Sequence, residues 1–326
     1  MRPFEHIDAA SVEEVLSLLQ SEPDSAILAG GTDLLVLMKN RIVNPTLLIN
    51  VKKIGGLDRI EVDGTNGLAI GSLATMTRVG EEPFVRRQLP ILAEAIGAAA
   101  SPQLRNVATI AGNLCQRPRC HYYRESFDCF LSGKGGCHAP SGRDRDAGVF
   151  GDGECHAVNP SDLAPPLVAL GASAVVQDSK GRRRVSLEDF FIAPKDGLLK
   201  LNNLGHDEMI VEIRIPRQPE HSRGMYLKAM ERKTWSFAQA SAAIQVSLAD
   251  ARVADVRIVL GGVAAVPWRA RAAEDVLRGN TPTAKLVESA SDAAVRGARP
   301  LGSNGYKVKL ARALVKRGLS TLLGLQ

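Results

Sequence analysis

A chain of 326 residues is long enough for two domains and leaves room for a third. Hydrophobic residues at 45% and charged residues at 23% are those of an ordinary soluble globular protein, and aromatics at only 4% point to aliphatic cores. The formal charge of +6 is local rather than general: Arg105, Arg117, Arg119, Arg124, Lys134, Arg143 and Arg145 crowd one region, and Lys307, Lys309, Arg312, Lys316 and Arg317 another. No nucleic-acid motif accompanies these groups, so they fit an acidic protein partner, or phosphates and an anionic metal cluster, better than nucleic acid. Met1 to Val15 has no charged-then-apolar signal pattern, and no run is long enough to span a membrane. The expected location is cytoplasmic, or periplasmic by export together with a signal-bearing partner.

In chain order, residues 1–41 read as a short βαβα start. SVEEVLSLLQS is an amphipathic helix with Ser11 as N-cap and Glu14 as its capping-box partner. SAILAG is a strand and LLVLMKNR the next helix. TLLINVKKI (46–54) is a second strand, and the segment from Gly56 to Val79 a hairpin with Asp63-Gly64 and Asn66-Gly67 as turn signals. EEPFVRRQLPILAEAIGAAA has helical spacing, with Pro90 starting its second part. After the segment NVATIAGNL (106–114) comes Cys115 to Cys155, which holds all five cysteines of the chain. It shows no sustained apolar period, and a loop this long without a core is either disordered or pinned by something functional. Five cysteines without a signal segment argue against a disulfide framework and for metal or redox work.

Downstream, AVNPSDLAPPLVALGASAVVQD reads as a turn, a helix beginning near Ser161, and a strand. RRRVSLEDFF, with Ser186 and Asp189 as turn and cap residues, and EMIVEIRIP (208–216) close the first domain. RQPEHSRG (217–224) is the best candidate linker. Beyond it the pattern predicts a helix through FAQASAAIQVSL, strands in VADVRIVLGGV, helices AAEDVLR and TAKLVESASDAAVRG, and a last helix from about Asn304.

Three stretches invite a ligand. AGGTDLL turns an apolar strand into a helix; its glycines let backbone approach a ligand, and the free N–H groups of a helix start favour an anion. It is neither GxGxxG nor a Walker loop, and a plain Gly-Gly turn is the rival reading. Thr109-Ile110-Ala111-Gly112-Asn113 is a second glycine-bearing turn, and Asp162 in NPSDLAPP is suited either to a sugar hydroxyl or to a helix start.

Taken together, AGGTDLL, RNVATIAGNL, NPSDLAPPLVALGA, KAMERKTWSFAQASAA and LGGVAAVPWRARAAEDVL resemble the FAD-binding medium subunit of the molybdenum hydroxylases, from Pro3 to about Leu319. That group includes xanthine dehydrogenase, carbon monoxide dehydrogenase, 4-hydroxybenzoyl-CoA reductase and bacterial aldehyde oxidoreductases. The resemblance implies an α+β fold. A PCMH or vanillyl-alcohol-oxidase-type FAD domain would fill 1–218, and a smaller α+β domain like the carbon monoxide dehydrogenase flavoprotein C-terminal domain 219–326. Ile27, Leu28, Ala29, Gly30, Gly31, Thr32, Asp33 and Leu34 would hold the FAD diphosphate. Thr109, Gly112 and Asn113 would flank diphosphate and flavin, Asp162 would bind the ribityl or sugar part, and Lys228 would lie near the flavin ring; an exposed lysine at a strand end is its rival reading. Partners would be a large molybdenum-cofactor subunit and a small subunit with two [2Fe–2S] clusters.

Where the family has a short turn after GGNL, this chain inserts about 40 cysteine-bearing residues (115–157). The insertion resembles the [4Fe–4S]-bearing members, its NLCQRPRCHYYRESFDC run looking closest to the periplasmic aldehyde oxidoreductase type. Cys115, directly after GNL, is best read as lying at the flavin region and outside a cluster. That leaves Cys120, Cys129, Cys137 and Cys155, spaced 9, 8 and 18 apart. Spacing alone leaves zinc, with His121, His138 or His156 as further candidates, level with iron–sulfur; the resemblance favours [4Fe–4S]. Arg117, Arg119 and Arg124 would then offset the cluster's charge. The implied function is an electron-transfer subunit of an aldehyde oxidoreductase, the alternatives being a subunit of a xanthine dehydrogenase or 4-hydroxybenzoyl-CoA reductase-type complex, a self-sufficient flavin oxidase, or a zinc-stabilised assembly module.

Overall fold

Three short apolar runs at the start of the chain pair as a parallel sheet, which requires helical crossovers between them. In the computed structural model, which describes residues 1–65, 67–151, 153–193 and 199–325, these are β1 (Glu5–Asp8), β2 (Ser25–Leu28) and β3 (Leu47–Asn50), in the order β1-β3-β2. Ile7 and Ile27 both face Ile49 across the ladder. The crossovers are the helices Val12–Ser21 and Leu34–Lys39. As a parallel sheet demands, both faces are covered: Leu47 and Ile49 pack with Val15 and Leu16, Leu48 with Leu28 and Met38. Ser11 caps the first helix, accepting from Glu14 N–H at 3.1 Å; the Glu14 carboxylate reaches back to Ala10 N–H at 2.7 Å rather than to that of Ser11.

The hairpin follows as β4 (Ile60–Val62) and β5 (Leu68–Gly71), with Ile60 opposite Ile70; of its two turn signals, Asn66 lies outside the described residues. It joins β6 (Ser173–Asp178), β7 (Gly181–Ser186) and β8 (Met209–Ile215) in an antiparallel sheet of order β4-β5-β8-β6-β7. The helices Met76–Glu81, Pro83–Gln88, Pro90–Ala98 and Ala164–Ala169 bury Ile91, Leu92, Leu163 and Leu167 against it in the largest core.

Residues 216–222 connect β8 to the second domain, an antiparallel sheet of β9 (Arg223–Ala229), β10 (Ala240–Ala249), β11 (Arg252–Gly261) and β12 (Trp268–Arg269) in the order β12-β11-β10-β9. Three helices, Arg271–Leu277, Ala284–Ala294 and Tyr306–Leu323, pack on one face. The helix expected through FAQASAAIQVSL is instead the strand β10. Both of its edges are paired, Ile244 lying between Met225 and Ile258. Both of its faces are buried as well: Ala242 and Ile244 enter the second domain's core, Ala243 the first. A strand buried on both faces loses the alternation that distinguishes it from a buried helix.

The cysteine segment is not the core-less loop its composition suggests. Three short helical turns, at His121–Arg124, Phe130–Ser132 and Ala139–Ser141, carry Tyr123, Phe130 and Leu131 into a small cluster with Leu37, Cys129, Cys155 and Ala157. Leu37 comes from the N-terminal module, so this core is completed from outside the segment. The far end is stitched to the second domain. Asn304 Nδ2 donates to the Gly148 carbonyl at 3.0 Å, the buried Lys307 ammonium to the carbonyls of Gly262 (2.7 Å) and Asp146 (3.1 Å), and Val149 N–H to Val263 O at 2.7 Å. Among the described residues, no helix is long and apolar enough to cross a membrane.

Candidate functional site

A cleft of about 1040 Å³ runs between the three-stranded module, the turn at 108–113 and the loop at 235–237 of the second domain. That volume lies at the upper end of the usual range for cofactor sites. Its floor is the loop after β2. Gly30 lies so close to the backbone at Val107 that a Cβ there would stand 2.1 Å from Val107 O, and Gly31 adopts φ +70, a conformation that favours glycine. Ile27, Ala29, Gly30, Gly31, Thr32, Asp33 and Leu34 all line the cleft. Leu28 turns the other way, into the core with Met38 and Leu48.

Asp33 stands at the start of the helix Leu34–Lys39, yet its carboxylate does not cap that helix. It accepts instead from Arg119, from Arg124 Nη2 at 2.8 Å and from Arg117 N–H at 2.8 Å. Burial alone would raise its pKa; the Arg119 guanidinium, with Arg124 and the Arg117 amide, more than offsets this and holds the carboxyl below its ordinary range. Arg124 also donates to the carbonyls of Pro118 (2.8 Å) and Arg117 (2.9 Å), and Arg119 lies over the Phe237 ring at 4.9 Å. Arg119 and Arg124 thus pair with the glycine loop, a partner that the sequence did not indicate.

On the opposite wall, Thr109 caps the short helix Ile110–Leu114 by accepting from Gly112 N–H at 3.2 Å. Asn113 lines the cleft with its side chain anchored: Ser161 Oγ donates to Asn113 Oδ1 at 2.6 Å. Asp162 is also at the wall, but its carboxylate is occupied by Lys228 Nζ at 2.8 Å and Tyr226 OH at 2.9 Å. Lys228 donates to Ala98 O at 2.9 Å as well and is 1% exposed, which removes the reading of a solvated lysine at a strand end. Burial pushes the Asp162 carboxyl above its ordinary range against the pull of Lys228, and burial with the neighbouring Asp162 charge pushes the Tyr226 phenol well up. Tyr226 was readable from the sequence as the same-face neighbour of Lys228 on a strand, two residues away.

Three polar atoms lining the cleft, Ser25 Oγ, Asn44 Oδ1 and Ser72 Oγ, are buried with no hydrogen-bond partner among the described residues. Buried polar groups are normally paired, so unpaired ones gathered in one cleft fit a polar ligand such as a dinucleotide. No motif marked them in the sequence. The carboxylates of Asp33, Asp162 and Glu208 in the lining are each held by a cation, the last by Arg183 at 2.6 Å. The wall is thus built to bind and orient.

Behind it, the cysteines divide as four and one. Burial raises the Cys120 thiol, with the fields of Cys137 and Cys129 adding. Cys155 is pushed up to about 12 by burial, with Cys137, Cys120 and Cys129 adding. These four therefore share one neighbourhood. Cys115 packs against the largest core, lines the cleft, and is pushed up to about 12 by burial alone. Among the described residues no three His, Cys, Asp or Glu side chains close on a single metal ion.

The chain matches two family models, the FAD binding domain in molybdopterin dehydrogenase over residues 2–218 and the CO dehydrogenase flavoprotein C-terminal domain over 225–322. It is 35% identical to the aldehyde oxidoreductase FAD-binding subunit PaoB of Escherichia coli (strain K12), over 99% of this chain and 98% of that one. It is 30% identical to the nicotine 6-hydroxylase medium subunit of Paenarthrobacter nicotinovorans, over 94% and 93%. Among solved structures, the carbon monoxide dehydrogenase of Hydrogenophaga pseudoflava superposes with a TM-score of 0.79 at 28% identity, covering 99% of this chain and 98% of that one. With both domains matched in order and the cleft between them in place, the chain belongs to the family of FAD-binding medium subunits of the molybdenum hydroxylases.

Proposed function

We propose that the chain is the FAD- and [4Fe–4S]-carrying electron-transfer subunit of an aldehyde oxidoreductase. It would assemble with a large molybdenum-cofactor subunit and a small subunit bearing two [2Fe–2S] clusters. Electrons from the oxidation of an aldehyde to a carboxylic acid would enter through the small subunit and leave through this chain to an external acceptor. The observation that carries the aldehyde reading is the end-to-end similarity to an aldehyde oxidoreductase FAD-binding subunit.

FAD, when bound, supplies a two-electron store between one-electron centres and the acceptor. The chain's own residues do the rest. Gly30, Gly31 and Thr32 present backbone to the diphosphate, and Thr109 and Gly112 shape the facing turn. Ser161 fixes Asn113 toward the same cleft. Asp162, neutralised by Lys228, braces the wall without adding a free charge. Cys120, Cys129, Cys137 and Cys155 would hold the cluster. The support for this set is that Cys120, Cys129 and Cys155 pack in one small core while Cys115 packs against another.

Metal and flavin analysis of anaerobically purified protein tests the reading, with about four iron and about one FAD per chain expected. Zinc in place of iron, or absent flavin bands, would return the protein to the assembly-module reading. Turnover of an aldehyde with oxygen by this chain alone would make it a self-sufficient oxidase.

A further inference from the structure

We infer that the cysteine-bearing insertion makes the glycine loop competent for FAD: Arg119 and Arg124 neutralise Asp33, and without them its carboxylate repels the cofactor's diphosphate. The inference rests on the reading that the diphosphate lies on Gly30 to Thr32.

Asp33 is the next residue after that loop, and its side chain is only 15% exposed, so water does little to screen it. A carboxylate there works against an anionic ligand. Two guanidinium groups meet it, both partly buried and both lining the same cleft, so the cluster of three side chains carries a net charge of one positive rather than one negative. The arginines are not free to drift. Arg124 is tied to two backbone carbonyls of its own segment, and Arg119 to Gln116 and the Phe237 ring. Both belong to the insertion, whose order depends on the small core built around Cys129 and Cys155. Loss of order there would withdraw the arginines and expose Asp33. Arg119 and Arg124 act as positioning residues through Asp33, and flavin retention becomes coupled to the order of the insertion.

The experiment uses the full chain in its complex, stripped of flavin and titrated with FAD by fluorescence quenching. Four results are expected. R119Q/R124Q weakens FAD binding roughly tenfold or more. D33N, which breaks the clasp but removes the charge, binds at least as tightly as the parent. D33N/R119Q/R124Q returns to within about threefold of the parent, an allowance of under 1 kcal/mol. C129S loses FAD affinity and D33N/C129S does not. Parental affinity in R119Q/R124Q, weak binding by D33N alone, or no rescue in the triple variant would each overturn the inference. Placement of the diphosphate is tested separately by T32E. Full FAD binding by T32E sinks that placement, whereas loss in T32E with parental affinity in R119Q/R124Q overturns the neutralisation alone.

Discussion

Asp162 and Lys228 form an ion pair of 2.8 Å across the junction of the two domains, with side-chain exposures of 7% and 1%. The carboxylate precedes the helix Ala164–Ala169 of the first domain and the ammonium lies on β9 of the second. Among the described residues, the remaining polar contacts of the pair are internal: Tyr226 OH to Asp162, and Lys228 to Ala98 O. A buried pair gains little over an apolar replacement, but a lone buried charge is costly. K228M is therefore expected to destabilise the protein by about 3–5 kcal/mol, and D162N/K228M by clearly less than the sum of the two single variants. Urea unfolding of the four proteins measures this. Additive losses would mean that the two side chains do not interact.

Two carboxyls at the cleft titrate in opposite senses. Asp33 has its folded pKa lowered, so its clasp contributes stability in full above the ordinary value of 3.8, and that contribution is lost as the pH falls through the lower folded value. Asp162 has its folded pKa raised, so its contribution is fully present below 3.8 and is lost as the pH rises through the folded value. Comparison of parent and D33N melting temperatures over an acid series should show a difference that is constant near neutrality and closes below about pH 4. A gap that widens on acidification would show that Arg119 and Arg124 do not hold Asp33.

What the sequence could show follows from sequence distance. AGGTDLL announces its own strand-to-helix turn, and Gly30 sits where backbone must approach the Val107 carbonyl. The clasp of Asp33 by Arg119 and Arg124 joins segments 86 and 91 residues apart, and nothing local in DLL or RPRC reports it. The same holds for the small core of the insertion, where Leu37 fills what Tyr123, Phe130 and Leu131 cannot fill alone. Strand β10 was hidden for a different reason. Its alanines and serines suit a helix as well as a strand buried on both faces, and tertiary pairing decides between them. Ser25, Asn44 and Ser72 carried no signal at all, because an unpaired hydroxyl or amide is defined only once its neighbours are in place.

Replacing each cysteine by alanine separates ligands from bystander. C120A, C129A, C137A and C155A should each lose iron, and C115A should retain it, measured on anaerobically purified protein by iron content and visible absorbance. Cys115 packs against the largest core, whereas Cys120, Cys129 and Cys155 share the small core of the insertion. Iron lost from C115A and kept in C120A would exchange the two assignments.

Ser72 gives the most direct reading of whether the cleft is shaped around its ligand. The residue is 3% exposed, its backbone N–H donates to Val211 O at 3.1 Å, and its hydroxyl has no partner among the described residues. An unmet buried hydroxyl costs the free protein about 1–3 kcal/mol, and a ligand atom that meets it recovers that cost as affinity. S72A should therefore leave the flavin-free protein as stable as the parent or more so, while weakening FAD binding roughly fivefold to tenfold. Thermal melting of the stripped protein and a flavin titration report the two effects separately. Reduced stability with unchanged FAD affinity would assign Ser72 to packing and remove it from the cofactor wall.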